Sequence, residues 1–272
     1  MAIQVNGTTV IDNSRNLTNV GGLKTIGGTG IIGSGDIAVG QTIPAFDPSA
    51  TPNWSRTSSG TWTKPTLASG VWVVIHLVGG GGAGAGSTWN SGGNGGNALV
   101  VGAIASTLPS SIAFTLGAGG AGTGGDNADG GGSSSFTVSG RTFTAAGALG
   151  NETSSSNYSA LTNPLQPSGV YLMVNSGQSP FLYDGSGCSG GATTKNGTNY
   201  TPQNAEFGGG AGAGLPFSAR PQGGGTAGTS SFAGNGGTFG NNGQSGGGGG
   251  GGFSDGDGGD GGAGIVKIWY IS

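Results

Sequence analysis

The sequence predicts an all-β protein: a short-stranded fibrous N-terminal segment, then a glycine-rich β-sheet frame carrying packed polyglycine-II helices. Three observations predict it. Short runs of β-branched and aromatic residues, such as 71–78 and 265–271, are set between glycine tracts, and such residues favour the pleated, half-buried surface of a strand. No stretch repeats apolar residues at the spacing of a helical face. Glycine supplies 68 of 272 residues, far above ordinary usage of roughly 7%, and in places it recurs on a three-residue step. Glycine loses the most backbone entropy on ordering, so a random Gly/Ser/Asn chain would be a linker. Here hydrophobic residues still make up 33% of the chain, and they are clustered.

Residues 1–50 form the lead segment. Its apolar residues, among them Ile3, Val5, Val10, Ile11, Leu17 and Val20, are punctuated by turn signals at Asn6-Gly7, Asn13-Ser14, Gly21-Gly22 and Gly27-Gly28. That spacing favours many very short strands. One such chain cannot bury both sides of its strands, whereas three wrapped about an axis can pool their apolar edges, so a homotrimer is expected. Residues 41–60 read as a junction, because Pro44, Pro48 and Pro52 interrupt any ladder.

Residues 51–272 are the second domain. It is expected to open with a strand pair, 61–65 stopped by Pro65 and then 71–78, which runs straight into Gly79-Gly80-Gly81-Gly82. Later strands are expected at 98–104, 111–116, 135–138 with 142–145, and 265–271. In the last, Val266, Ile268 and Tyr270 alternate with Ile265, Lys267, Trp269 and Ile271, and Trp72 and Trp269 mark the first and last strands of one sheet.

Between strands lie the glycine tracts. Residues 92–97 read Gly-Gly-Asn twice, and residues 256–264 read Gly-Asp-Gly, Gly-Asp-Gly, Gly-Ala-Gly. A polyproline-II type helix has three residues per turn and no internal hydrogen bonds, so its backbone groups must find partners outside it. Two glycine edges per turn can face neighbouring helices while the third position carries Asp, Asn or Ala at the surface. Collagen is a poor match, with 11 Pro and no sustained Gly-X-Y repeat.

Residues 151–207 depart from this pattern: glycine thins and aromatic residues gather. Tyr158, Tyr171, Phe181, Tyr183 and Tyr200 are the candidate receptor-binding residues, with Trp89, in the 87–97 loop, a further one. Aromatics on loops over a rigid base suit contact with sugar or protein; the alternative is a small local core beneath a long insertion.

Two sets of residues carry a resemblance. The runs 10–20 and 30–37 resemble the shafts of phage tail fibres. The runs 60–65, 73–78 with the glycines after them, 114–120 and 261–270 resemble the glycine-rich domains at the ends of phage tail fibres and in long-tailed-phage adhesins. The resemblance implies a virion protein that attaches the particle to a bacterial surface polysaccharide or outer-membrane protein. It implies that residues 151–207 are exposed and variable, and that the N-terminal segment joins other phage tail or baseplate proteins. A purely structural virion protein that binds only other phage proteins is the rival expectation.

The chemistry of the chain points the same way. Net charge is −3, and the 8 Lys and Arg are scattered, so nothing offers the clustered cations that nucleic-acid phosphates require. With His76 the sole histidine, no Ser-His-Asp or Cys-His arrangement is convincing, and His76 reads as a structural strand residue. The remaining route to an enzyme is a pair of carboxylates, but most of the 11 acids sit in Gly or Asn contexts that look like turns. No enzymatic activity and no cofactor are expected. Asp255, Asp257 and Asp260 lack the closing Glu and flanking helices of an EF-hand and read as a surface row on a glycine helix. Cys188 is the only cysteine, so no intrachain disulfide forms. The start lacks the regions of a secretory signal, and the longest apolar stretch, 71–78, is too short to span a bilayer. Synthesis in the host cytoplasm and release within the virion are expected.

Overall fold

In the computed structural model, the described residues are 3–5, 8–11, 46–47, 49–68, 70–86, 92–124, 128–148, 170–173, 208–210, 212, 227–238, 240–249 and 257–272. The chain divides into two compact units, Met1–Ala45 and Phe46–Ser272. In the first, β1 (Ile3–Val5) pairs antiparallel with β2 (Thr8–Ile11), with an irregularity in register between Ile3 and Gln4. These are the very short strands that the turn signals predict.

The second unit is all-β, with one short 3-10 turn at Ala105–Thr107 among its described residues. Its strands are β3 (Trp54–Arg56), β4 (Gly60–Thr63), β5 (Trp72–Val78), β6 (Ala98–Ile104), β7 (Ser111–Thr115), β8 (Ser134–Val138), β9 (Arg141–Ala145), β10 (Val170–Met173) and β11 (Ile265–Ile271). A 5-stranded sheet has the order β10-β6-β5-β11-β3, and a 4-stranded antiparallel sheet has the order β4-β7-β8-β9. In the larger sheet only β10 lies parallel to its neighbour. The β8–β9 hairpin turns on Ser139 and Gly140, with φ of 51° and 77°. Two positive φ values are what a tight two-residue turn between twisted strands requires.

The two sheets face each other across the main core. Alternation decides which side chains enter it. Val73, Ile75 and Leu77 of β5, Leu99 and Val101 of β6, and Val266 and Ile268 of β11 meet Trp62, Ile112, Phe114, Phe136 and Phe143 from the smaller sheet. The rings of Phe114, Phe136 and Phe143 run in series, with centroids 5.2 and 5.0 Å apart. Trp62 Nε1 donates to the Tyr270 hydroxyl at 3.1 Å, tying the sheets at one end. The other face of the larger sheet presents Val74, Val78, Ala98 and Val100, covered by Phe46, Phe232 and Ala233. His76 lies on this face, buried, with its ring 6.3 Å from that of Trp269. Beside it Lys267 Nζ donates to the Phe232 carbonyl at 2.6 Å. The strands of Trp72 and Trp269 do lie in one sheet, as neighbours in the β5–β11 ladder, although β3 rather than β5 is the first strand of that sheet in the chain.

Two expectations are corrected. The strand at 61–65 does not pair with 71–78: β4 pairs with β7 in the other sheet. Between them the chain crosses from one sheet to the other, held where Lys64 Nζ donates to the carbonyls of Ala105 and Leu108 at 2.9 and 2.6 Å. This crossing puts Trp62 opposite Ile112 in the inter-sheet core. The junction at 41–60 also contains a strand. β3 starts beyond Pro52 and adds to the outer edge of β11, where proline upstream of the ladder removes no bond from it.

Candidate functional site

The strands run out into glycine, and glycine builds the part of the molecule that shapes a site. Residues 79–86 leave β5 as an extended segment that is buried throughout. Its N–H groups donate in strict rotation, all at 2.8–3.0 Å: Gly79 and Gly82 to Asn97 and Asn94, Gly80 and Ala83 to Gly132 and Asp129, Gly81 and Gly84 to Gly262 and Gly259. Every third residue therefore addresses the same neighbour, which is the three-residue turn of polyglycine II. The carbonyls of Gly80, Gly81 and Gly82 accept from Ala148, Gly120 and Gly249. Six glycine segments thus enclose residues 79–86: 92–97, 128–133 and 257–264 as acceptors, and 146–148, 116–123 and 247–249 as donors.

Close approach is the reason for glycine here. A Cβ on Gly81 would stand 2.0 Å from the Gly247 oxygen, and one on Gly261 2.0 Å from the Gly81 oxygen. Side chains appear where a segment faces outward, and inside the array where the small methyls of Ala83, Ala85 and Ala128 pack on one another. In 257–264 the exposed residues are Asp257, Asp260 and Ala263, while Gly258, Gly259 and Gly262 are buried. This is the expected pattern of two packed edges and one surface edge. Asp255 lies outside the described residues. Asp260 does more than face solvent: its Oδ1 accepts from Gly122 N at 2.7 Å and its Oδ2 from Asn242 Nδ2 at 3.3 Å, while its own N–H donates to Asn242 Oδ1 at 2.8 Å. It stitches three segments at the surface.

The register also fixes direction. As donors rise along 79–84, acceptors fall along 97–94, 132–129 and 262–259, so outgoing segments alternate with returning ones. Segments leave the sheets after β5, β7 and β9 and re-enter before β6, β8 and β11. The turn at Ser245–Gly246 lies at this inner end, Gly246 with φ 80° against Val78. Residues 86, 123 and 257 lie at the opposite, outer end, roughly 20 Å away at about 3.1 Å per residue, with 92 and 128 just short of it and 249, three residues beyond Gly246, about half-way. The connections 87–91 and 125–127 start and finish toward that end, and 250–256 finishes there. This outer end is the candidate site.

Its electrostatics are one-sided. Asp129, Asp257 and Asp260 lie on the array, whereas the described cations Arg56, Lys64, Arg141 and Lys267 lie on or beside strands. Burial alone lowers the Lys267 ammonium below its usual range. Asp47, the remaining described carboxylate, sits on the bend before β3, and the Ser49 hydroxyl and N–H, at 2.6 and 2.9 Å, hold it below the usual range.

Of the expected receptor-binding residues, Tyr171 lies on β10, opposite Val101. Trp89, Tyr158, Phe181, Tyr183 and Tyr200 lie outside the described residues, as does Cys188. Residues 151–207 are pinned to the frame at β10, which divides them into two lengths of chain. The clustering of connections at one end was not read from the sequence. Its signal was present: each of the tracts 79–86, 92–97, 116–123 and 128–133 abuts a strand on one side only.

The sequence model of a family described as a glycine-rich domain matches residues 55–271. No curated protein matches the chain.

Proposed function

The chain belongs to the glycine-rich domain family, and from that premise we propose that it is a bacteriophage tail-fibre subunit that attaches the virion to the host cell surface. One observation supports this reading above the others: an array of hydrogen-bonded glycine segments brings residues 86, 123 and 257 together at the end farthest from the sheets. Polyglycine offers few side chains to a receptor, so recognition falls to residues that the array displays but does not need for its own packing. Connections can vary without unfolding the scaffold that bears them.

In this reading Trp89, within the connection 87–91, and Tyr158, Tyr171, Phe181, Tyr183 and Tyr200, within 151–207, supply the contacts. Aromatic residues give large contact area at low entropy cost. Residues 1–50 trimerise and join the tip to other tail or baseplate proteins. Weak individual contacts then gain strength because several tips are held on one particle. The partner is a surface polysaccharide or outer-membrane protein, and no chemical step is involved.

The test is binding of labelled full-length protein to a panel of bacterial strains. Saturable binding to some strains and not others is the expected result. Binding to none, with the protein located on an inward-facing part of the particle, would leave a structural virion role instead.

A further inference from the structure

The outer face of the smaller sheet carries hydroxyls and no charge. Alternation sends Trp62, Ile112, Phe114, Phe136 and Phe143 into the core, and what remains outside is a grid. One row runs across the strands through Thr115, Ser135 and Thr144, and the next runs from Thr61 past Ala113 to Thr137 and Thr142. All are exposed except Ser135, which is half-buried. The Thr137 and Thr142 hydroxyls lie 3.0 Å apart and bond to each other. Arg141, the one cation on the strands of this sheet, stands opposite Val138 and so belongs to the other side of the ladder.

We propose that this face is a second contact surface, and that its ligand is an uncharged polysaccharide. The chemistry of the face selects among occupants. A protein partner is anchored by aromatic residues, Met and Arg, with Ser depleted; the grid has none of those anchors. Nucleic acid and anionic lipid need clustered cations, and a membrane surface needs an apolar face. What the grid offers is a hydroxyl at every point but Ala113, able to donate and to accept, spaced by about 4.8 Å across strands and about 6.7 Å along them. A neutral sugar chain presents the same kind of group at regular intervals and carries no charge that would need a counterpart. Threonine is stiff at χ1, so little side-chain freedom is lost when the face binds.

This inference rests on the adhesion reading, and it names a ligand class and a surface apart from the outer end. The experiment is affinity electrophoresis of the full-length protein through gels containing dextran, a β-glucan or a galactomannan, with alginate as the anionic comparison. Retardation by at least one neutral polymer, and none by alginate, is expected. The triple variant Thr137→Val, Thr142→Val, Thr144→Val keeps shape and removes three hydroxyls; retardation should weaken by at least about tenfold, the scale of two or three net hydrogen bonds. Thr144→Glu alone, which sets a charge on the grid, should do the same, and keeps the test open should the triple variant fail to fold.

The inference is overturned by absence of retardation in all three neutral gels, by stronger retardation in alginate, or by variants that fold and migrate like the wild type. Cell binding of the same variants separates the two ideas. Variants that still retard, from a protein that does bind cells, sink the face and spare the adhesion reading. A protein that binds no cells sinks the adhesion reading, whatever the gels show.

Discussion

Gly81→Ala adds one methyl group at the centre of the array, and its effect can be worked from the geometry. The new Cβ would lie 2.0 Å from the Gly247 oxygen and 2.5 Å from its carbonyl carbon. Ordinary contact begins at 3.4 Å, so one backbone must retreat by about 1.4 Å. If Gly247 yields, it loses the bond it accepts from Gly262 at 2.8 Å and the one it donates to Gln244 at 2.6 Å. If Gly81 yields, it loses its bond to Gly262 at 2.8 Å and the one from Gly120 at 2.9 Å. Either way two bonds break at a buried glycine. An orphaned buried polar group costs about 1–3 kcal/mol, so the loss is about 2–6 kcal/mol. A domain holds about 5–15 kcal/mol in all, and at this size each kcal/mol moves Tm by about 2–4 °C. The expected fall is about 10 °C, read by scanning calorimetry. Gly60→Ala is the control: its Cβ meets nothing closer than the Ser58 oxygen at 4.0 Å, and the generic entropic effect of such a change is a gain of about 0.4–1 kcal/mol. A Gly81→Ala protein that melts within about 1 °C of wild type would refute the packing argument, since a gain of that generic size cannot offset two broken bonds.

Packing and burial elsewhere in the molecule carry further expectations. Gly259→Val should be severely destabilising, because a Cβ there meets the Asn241 carbonyl, while Asp257→Asn at an exposed position should leave the melt unchanged. Burial lowers the pKa of Lys267, so the unfolded chain holds more protons than the folded one between the lowered value and 10.5; stability from this group should rise with pH across that window, and Lys267→Met should flatten the slope of Tm against pH. Native mass spectrometry of the full-length protein should give three chains, and a stable monomer would count against the fibre reading. Tyr158→Ala with Tyr183→Ala should lower cell binding without moving the melt; an equal loss of both would make these core residues.

The strands were legible because each announces itself locally. Residues 98–104 and 265–271 are largely apolar runs with a clear start and stop, and β6 and β11 occupy those residues. The three-residue step at 256–264 likewise gave the packed and exposed edges of its segment. Pairing was less legible. Nothing in Gly60-Thr61-Trp62-Thr63 says whether it joins β5 or β7, because both partners would bury Trp62. β3 was hidden by the prolines before it: Pro52 precludes a ladder bond at its own position and says nothing of Trp54. The outer end was hidden for another reason. A glycine tract has no side-chain pattern to give its direction, and direction emerges only from which carbonyl each N–H finds.

The exposed side chains on the perimeter of the array have a consequence for solubility. Polyglycine II is a lattice, and a lattice of identical rods has no natural width; each rod on the boundary offers open sites to the next. In this molecule the boundary is decorated. Ala118 and Ala121 face outward from one segment, Asp257 and Ala263 from another, and Asp129 from a third. A methyl or carboxylate at every third position keeps a further rod from approaching to hydrogen-bonding distance. These residues therefore act as growth terminators, leaving a crystallite of fixed cross-section within a single folded chain, much as charged residues and proline blunt the open edge of a sheet. Replacing them all with glycine would reopen the boundary, and neighbouring molecules could then fuse rod to rod.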